Sequence, residues 1–194
     1  MNISVVIPAY NAESTLAECL RACLAQAHTP VEIIVIDDGS TDRTAEIAKE
    51  FDVQYVHQEN AGPAAARNHG ARLATGEIIV LTDADCIPEA NWLEELVKGF
   101  DAENVVAVGG TYGIANASSP LARMIHEEIQ VRHEQFRDTV DFLGSFNVAY
   151  KRDAYLAVGG FDETFRAASG EDNDLAYRLH DNGGIMRFVP EAVV

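Results

Sequence analysis

The chain has 194 residues, and its 31 acidic side chains against 14 basic ones give a formal net charge of -17. Hydrophobic residues make up 47% of the chain, which excludes a disordered protein and predicts one globular domain with a core of its own. The charge argues against a general nucleic-acid binder, because such proteins neutralise phosphates with lysine and arginine and this sequence has no basic run.

The first half of the sequence alternates short apolar segments with helical patterns. The run from Ile3 to Ile7 is typical of a strand, and Asn11 is a candidate cap for the helix that follows. In all, strands are predicted at 3–7, 31–36, 51–56 and 78–81, and helices at 16–27, 44–51, from Pro63 and from Pro88. Four strand–helix repeats predict an α/β architecture with parallel strands and right-handed crossovers.

The second half is less regular. Strands are predicted at 105–108, 146–150 and 185–189, and helices at 119–137 and from Ser169 to about Asn182. No linker, internal repeat or low-complexity segment separates the two halves, so the sequence predicts a single domain.

Cysteine usage and apolar run lengths bear on the compartment. The three cysteines, Cys19, Cys23 and Cys86, have no paired spacing, which indicates neither a disulfide framework nor a zinc site. No apolar run reaches the length of a membrane span, and no signal-peptide pattern opens the chain. We expect a cytoplasmic protein, and association with the inner face of the membrane through further parts or partners stays open.

Polar clusters follow three of the predicted strands, where the ligands of open α/β sheets bind. Residues 8–11 follow the first strand, Asp37 and Asp38 follow the second, and Asp83 and Asp85 follow the fourth. Parallel strands would bring these clusters to one edge of the sheet. The sequence therefore predicts a single candidate site there.

Each acidic pair at this edge has two interpretations. Asp37 and Asp38 fit turn chemistry, or a carboxylate that accepts hydrogen bonds from a ribose or a base. Asp83 and Asp85 fit a turn before the next helix, or a pair that holds Mg²⁺ or Mn²⁺ if the backbone between them turns.

Two further charged groups are also open to two interpretations. Glu171 and Asp172 crowd a predicted helix start, where the helix dipole favours carboxylates and Ser169 with Asp172 approximates a capping box. Arg67 lies in the first turns of a helix, where it could meet a phosphate or form a structural ion pair.

Taken in order, these segments resemble the family 2 glycosyltransferases of GT-A fold, and the match runs from the first strand to the last residue. The segments that carry it are Val5 to Asn11, Val35 to Asp42, Gly62 to Asn68, Asp83-Ala84-Asp85, Gly159 to Glu163, and Gly170 to Arg178. The resemblance implies a single GT-A domain, with a Rossmann-like, mixed but mostly parallel sheet flanked by helices. It also implies an inverting enzyme that takes a sugar from a nucleoside diphosphate, with a UDP-sugar favoured.

The resemblance assigns roles by position. Asp172 would be the general base, and Asp85 with Asp83 would hold Mg²⁺ or Mn²⁺ on the diphosphate. The nucleotide would contact Pro8, Tyr10, Asp38, Arg67 and Asp83, and the acceptor would be bordered by Gly160, Phe161 and Glu171. The acceptor itself, whether a glycan, a lipid-linked sugar or a small molecule, is left open.

The resemblance also bears on the extent of the domain. Residues 1–194 would form the catalytic domain, with a nucleotide-binding half at about 1–112 and an acceptor-side half at about 113–194. Many family members place a histidine that completes the metal shell shortly after the segment matching 190–194, so we expect a chain truncated at its C-terminal end.

Three other classes of protein compete with this interpretation. A nucleotidyltransferase of related fold typically has a glycine-rich, basic loop after its first strand, and residues 8–13 contain no glycine and no cation. A sugar-nucleotide-binding module without activity is the second alternative. A dehydrogenase fits least, because no GxGxxG motif follows the first strand.

Overall fold

The computed structural model describes residues 1–115, 117–133, 136, 138–165 and 170–194, leaving out the side chain of Arg132. Within them one sheet of eight strands has the order β3-β2-β1-β4-β7-β5-β8-β6. The strands are β1 (Ile3–Ala9), β2 (Glu32–Asp37), β3 (Gln54–His57), β4 (Ile78–Thr82), β5 (Val105–Thr111), β6 (Thr139–Val140), β7 (Asn147–Lys151) and β8 (Ile185–Val193). The helices are α1 (Leu16–Leu24), α2 (Thr44–Ala48), α3 (Pro63–Leu73), α4 (Trp92–Lys98), α5 (Pro120–His133), α6 (Arg152–Ala157) and α7 (Glu171–Asp181).

The first four strands are parallel, as the alternating pattern predicts. β1 lies between β2 and β4, and Val6 is in register with Ile34 on one side and Leu81 on the other. All three side chains are fully buried. Helices cover both faces of a parallel sheet, which is why these strands are apolar without interruption.

The second half of the sheet is mixed. β7 is antiparallel to both of its neighbours, β4 and β5, while β8 is parallel to β5 and antiparallel to β6. The expectation of a mixed, mostly parallel sheet flanked by helices is confirmed.

Helix α3 packs unusually close to the sheet. A Cβ atom added at Gly70 would lie 2.2 Å from Cγ1 of Val6 on β1, so only glycine fits at this contact. The alanines at 64, 65, 66 and 71 are also buried, and their small side chains permit the same close approach. This packing sets the height of the whole helix, including Arg67 and Asn68, above the strand ends.

Two local predictions are wrong. Asn11 does not cap α1, because its side chain accepts a hydrogen bond from Thr41 N and Thr15 takes the cap position. The helix predicted from Pro88 begins at Trp92, because the segment before it bonds to β8 through Glu89 N and the Val193 carbonyl.

The sequence prediction also missed two short elements. The short elements β6 and α6 have no clear periodicity in the sequence and are missing from the prediction. The helix predicted at 119–137 is described as far as His133, and residues 134, 135 and 137 lie outside the described residues. Among the residues that are described, no helix combines the length and the apolarity needed to cross a membrane.

Candidate functional site

A cavity of about 720 Å³ opens at the carboxyl ends of β1, β2 and β4. Six of the residues singled out in the sequence line it: Pro8, Tyr10, Asp38, Arg67, Asp83 and Asp85. Asn60, Gly62 and Pro63 at the start of α3 close one side. The structure thus brings the three strand-end clusters together in one cleft.

The loop after β1 is tied to the loop after β2. Asn11 has a φ of 49°, a left-handed conformation that asparagine tolerates better than most residues. Its backbone N–H donates to Ser40 Oγ at 2.9 Å, and its Oδ1 accepts from Thr41 N at 2.9 Å. The neighbouring Tyr10 is left 56% exposed at the edge of the cleft.

Asp37 is a structural carboxylate. It is buried, Oδ1 accepts from Ser40 N at 2.8 Å, and Oδ2 accepts from the Tyr55 hydroxyl at 2.7 Å. Burial alone would raise the pKa of Asp37, but these hydrogen bonds outweigh burial and hold the pKa below its ordinary value. Burial, with the Asp37 charge, raises the pKa of Tyr55 to about 12. Asp37 is therefore occupied in holding the β2–α2 turn.

Asp38 faces the cleft and is held by three donors. Its Oδ1 accepts from Gln58 Nε2 at 2.7 Å and from Ala61 N at 2.9 Å, and its Oδ2 accepts from Gly62 N at 2.9 Å. Gln58 in turn contacts His69 Nδ1 through its Oε1 at 2.7 Å. The carboxylate is fixed in orientation before any ligand arrives.

Arg67 connects the two acidic segments of the site. It is 5% exposed, and Nη2 donates to Asp83 Oδ1 at 2.8 Å. Nη1 lies 3.9 Å from Glu171 Oε1, and Cζ lies 5.7 Å from the centroid of the Phe161 ring. Its Nε and Nη1 are buried and have no hydrogen-bond partner in the part of the chain that the structure describes.

The two carboxylates after β4 have different surroundings. Cys86 N donates to the Asp83 carbonyl at 3.1 Å, so the backbone between Asp83 and Asp85 turns. Asp83 is paired with Arg67, whereas Asp85 is exposed at the cleft and makes no hydrogen bond or ion pair to another described residue.

The donor set fits a divalent cation that is completed by a ligand. Among the described residues no group of three His, Cys, Asp or Glu side chains could hold a metal alone. Mg²⁺ and Mn²⁺ are commonly held by one or two carboxylates, with the remaining oxygens from phosphates and water. An exposed Asp85 beside a paired Asp83 matches that pattern.

Asp172 does not line the cavity. It is the second residue of α7, its Oδ2 accepts from Ser145 N at 3.3 Å, and its Oδ1 is buried without a hydrogen-bond partner among the described residues. Burial raises the pKa of Asp172, Arg67 opposes that rise, and the Glu171 charge adds to it.

The start of α7 has no side-chain cap among the described residues. Gly170 is the N-cap of α7, with a φ of 111°, and no side-chain capping bond is formed there. Ser169 lies outside the described residues. The contact that Asp172 makes is with the loop before β7, away from its own helix end.

Asn68, which sequence reasoning did not single out, fastens the loop after α6 to α3. Its Oδ1 accepts from Phe161 N at 2.9 Å and from the Tyr155 hydroxyl at 2.6 Å, and its Nδ2 donates to the Phe161 carbonyl at 2.8 Å. Gly160 has a φ of 71°, and a Cβ there would lie 2.3 Å from Asn68 Oδ1. The Phe161 side chain is buried beneath Arg67.

Other contributors to the site were also missed. Gln58, His69 and Ser145 belong to no sequence motif. In the structure Gln58 donates to Asp38, and His69 contacts Gln58. Ser145 donates to Asp172. Asn68 stands beside Arg67 in a segment that carried the resemblance, which was the one available signal.

Comparison with known proteins agrees with this architecture. The family model described as glycosyl transferase family 2 matches residues 4–159. The mannosyltransferase PcManGT from Pyrobaculum calidifontis, solved with GDP-Man and Mn²⁺, superposes with a TM-score of 0.75 at 25% identity over 99% of this chain and 55% of that one. TarS from S. aureus superposes with a TM-score of 0.77 at 20% identity over 98% of this chain and 35% of that one, which shows the fold.

Curated relatives are similar over nearly the whole chain. The pre-mycofactocin glycosyltransferase of Mycobacterium tuberculosis (strain CDC 1551 / Oshkosh) is 31% identical over 204 residues, which cover 100% of this chain and 42% of that protein. The validoxylamine A glucosyltransferase of Streptomyces hygroscopicus subsp. limoneus is 32% identical over 218 residues, covering 93% of this chain and 48% of that protein. The chain thus spans less than half the length of these two relatives.

The sheet, the cleft and these matches define a glycosyltransferase domain of GT-A fold. The chain belongs to glycosyl transferase family 2.

Proposed function

We propose that this domain moves a sugar from a nucleoside diphosphate, with a UDP-sugar favoured, to an acceptor hydroxyl with inversion at the anomeric carbon. The observation that carries the proposal is the arrangement around Arg67. This buried guanidinium binds Asp83 of the nucleotide cleft on one side and approaches Glu171, next to Asp172, on the other. A donor site and a candidate base are therefore adjacent.

Asp38 and Asp85 are the proposed donor-binding carboxylates. Asp38 would contact the nucleoside and Asp83 would approach the ribose, with Pro8 and Tyr10 lining the same cavity. Asp85, with Asp83, would hold Mg²⁺ or Mn²⁺, which when bound neutralises charge on the leaving diphosphate. PcManGT, a relative in fold, was solved with Mn²⁺, which supports this assignment.

Asp172 is the proposed general base. A nucleoside diphosphate leaves without help from a protein acid, so one base that takes the proton of the acceptor hydroxyl is sufficient. Asp172 Oδ1 is buried and has no hydrogen-bond partner in the described chain, and burial raises the pKa of this carboxyl above its ordinary value. Attack from the Asp172 side, opposite the diphosphate, would produce inversion.

The acceptor is proposed to enter through the second half of the domain, at about residues 113–194. Glu171 and the loop of Gly160 and Phe161 would border it, with Phe161 acting from below through its contact with Arg67. Because the chain spans less than half of its two compared relatives, further acceptor contacts are proposed to lie in segments beyond it.

Ligand-dependent thermal stability tests the donor half of the proposal. UDP, GDP, dTDP and CDP are added singly, each with Mn²⁺, with Mg²⁺ or with chelator. Since a ligand that binds the folded state raises the unfolding temperature by mass action, we expect stabilisation that requires a metal ion. If a nucleotide stabilises the domain but a separate assay with the corresponding nucleoside diphosphate sugar shows no sugar release, the alternative of a binding module without activity is favoured. No stabilisation by any nucleotide would contradict the proposal.

The stereochemical half is tested separately. NMR of the anomeric proton of the released sugar, with water as acceptor for an α-linked UDP-sugar, should show the β-anomer first. Initial release of the α-anomer would contradict inversion.

A further inference from the structure

We propose that the cleft selects an imide base, uracil or thymine, over guanine and cytosine, and that Gln58 and His69 set this selectivity by positioning the Asp38 carboxylate. The inference rests on the proposed function, since it assumes that the cleft binds a nucleotide. It goes further in naming the base and two positioning residues outside the cleft motifs.

The Asp38 carboxylate has a limited number of acceptor positions. A carboxylate has two oxygens and about four lone-pair positions. Oδ1 already accepts from Gln58 Nε2 and Ala61 N, and Oδ2 accepts from Gly62 N. No further donor in the described chain reaches this carboxylate, so one acceptor position remains, on Oδ2.

The four bases differ in how well their donors match that single acceptor position. Guanine presents two adjacent donors, N1–H and N2–H, and pairs with a carboxylate through both oxygens, but Oδ1 is filled. Cytosine presents an amino donor beside a ring nitrogen whose lone pair would face the carboxylate. Uracil and thymine present one N–H between two carbonyls, which matches one acceptor position. A guanine bound here would leave one donor unpaired, which weakens its binding.

Gln58 and His69 hold the Asp38 carboxylate in place. A carboxylate only accepts, so Gln58 must direct its NH₂ group at Asp38 and its Oε1 at His69. His69 Nδ1 must then be the protonated nitrogen, because it faces an acceptor at 2.7 Å. His69 is half-buried on α3, and Gln58 N donates to the Asp37 carbonyl at 2.9 Å. Gln58 is therefore held on one side by His69 of α3 and on the other by Asp37 at the end of β2.

The distance between the ends of β2 and β4 is consistent with a base at Asp38. β1 separates β2 from β4, so the strand ends that carry Asp38 and Asp83 are two strand spacings apart, about 10 Å. If the diphosphate lies at Asp85, the ribose lies across the end of β1 and the base reaches Asp38. Pro8 and Tyr10, at the end of β1, line the space between.

Isothermal titration calorimetry with UDP, dTDP, GDP and CDP, each with Mn²⁺, tests the selectivity. We expect UDP to bind at least about tenfold more tightly than GDP and CDP, a difference of about 1.4 kcal/mol. The dTDP titration shows whether the 5-methyl group is admitted, and tight binding of either imide base supports the proposal. GDP or CDP binding as tightly as both UDP and dTDP would overturn it and leave the proposed function standing. Failure of every nucleotide to bind would overturn the proposed function as well.

The positioning residues are tested by a double-mutant cycle. Gln58→Leu removes one donor from Oδ1, so UDP should bind about tenfold more weakly and the UDP-to-GDP affinity ratio should fall at least about fivefold. His69→Phe should lower the ratio less, and the double variant should match Gln58→Leu alone, because His69 acts through Gln58.

A matched control separates this role from a structural one. Glu59→Gln changes the exposed residue next to Gln58 and should leave the ratio unchanged. Thermal unfolding without nucleotide identifies variants that fail to fold. An unchanged UDP-to-GDP ratio in folded Gln58→Leu protein would overturn the positioning role, as would independent, additive effects of the two substitutions.

Discussion

Arg67 Nη2 donates to Asp83 Oδ1 at 2.8 Å. This ion pair connects α3 to the turn that follows β4. The guanidinium is almost fully buried, whereas Asp83 retains about a third of its side-chain exposure at 35%. This pair explains why the two carboxylates after β4 differ. Asp83 is paired with Arg67, whereas Asp85 is exposed and makes no hydrogen bond or ion pair to another described residue.

Removal of the guanidinium should destabilise the fold. Arg67→Met leaves Asp83 without its partner and removes the cation that lies 3.9 Å from Glu171, so we expect the free energy of unfolding to fall by about 3 kcal/mol. Urea denaturation measures this loss. The double variant Arg67→Met with Asp83→Asn should lose less than the sum of the single variants, and strict additivity would show that the pair does not stabilise the protein.

Close packing of α3 gives a second prediction. Gly70→Ala places a Cβ 2.2 Å from Val6 Cγ1, and the required shift should lower stability by about 1–3 kcal/mol. Val6→Ala in the same chain removes the colliding methyl and should recover part of the loss. If urea denaturation shows no recovery, another contact of α3 is responsible.

The raised pKa of Asp172 gives a pH-dependent prediction. The folded state binds the proton of this carboxyl more tightly than the unfolded state does, so ionisation of Asp172 lowers stability as the pH rises above the unfolded pKa. Asp172→Asn removes that penalty. The stability of the variant relative to the parent protein should therefore rise from acidic to neutral pH in urea denaturation. A difference that stays constant with pH would contradict the raised pKa.

Asp85 should control metal-dependent binding without supporting the fold. Asp85→Ala is expected to weaken UDP binding at least about tenfold with Mn²⁺ and to leave the metal-free affinity unchanged. Asp52→Asn is a matched control, since Asp52 is exposed and makes no hydrogen bond or ion pair in the described part of the chain. Equal loss with and without metal would show that Asp85 binds the nucleotide directly.

The alternating apolar segments were sufficient to predict the parallel half of the sheet, because helix-covered strands are apolar along their whole length. The strand-end rule then placed Asp38, Asp83 and Asp85 at one edge. Periodicity could not show that β7 enters antiparallel between β4 and β5, since a buried strand has the same composition in either direction.

The site's supporting contacts were beyond sequence reasoning for a different reason. Gln58 and Asp38 are 20 residues apart and Ser145 and Asp172 are 27 apart, and each contact depends on loop conformation that no spacing rule encodes. Asn11 is instructive, because the same residue type caps helices and adopts left-handed turns, and only the neighbouring Ser40 and Thr41 decide between them.

The division of roles between Asp172 and Asp85 is tested most directly by measuring UDP affinity with Mn²⁺ beside the release of UDP from UDP-sugars, with water as acceptor. Asp172→Asn should retain UDP affinity within about twofold and lose about 10²- to 10⁴-fold in turnover, the usual contribution of a general base. Asp85→Ala should lose affinity. An equal loss of nucleotide affinity in both variants would contradict the account.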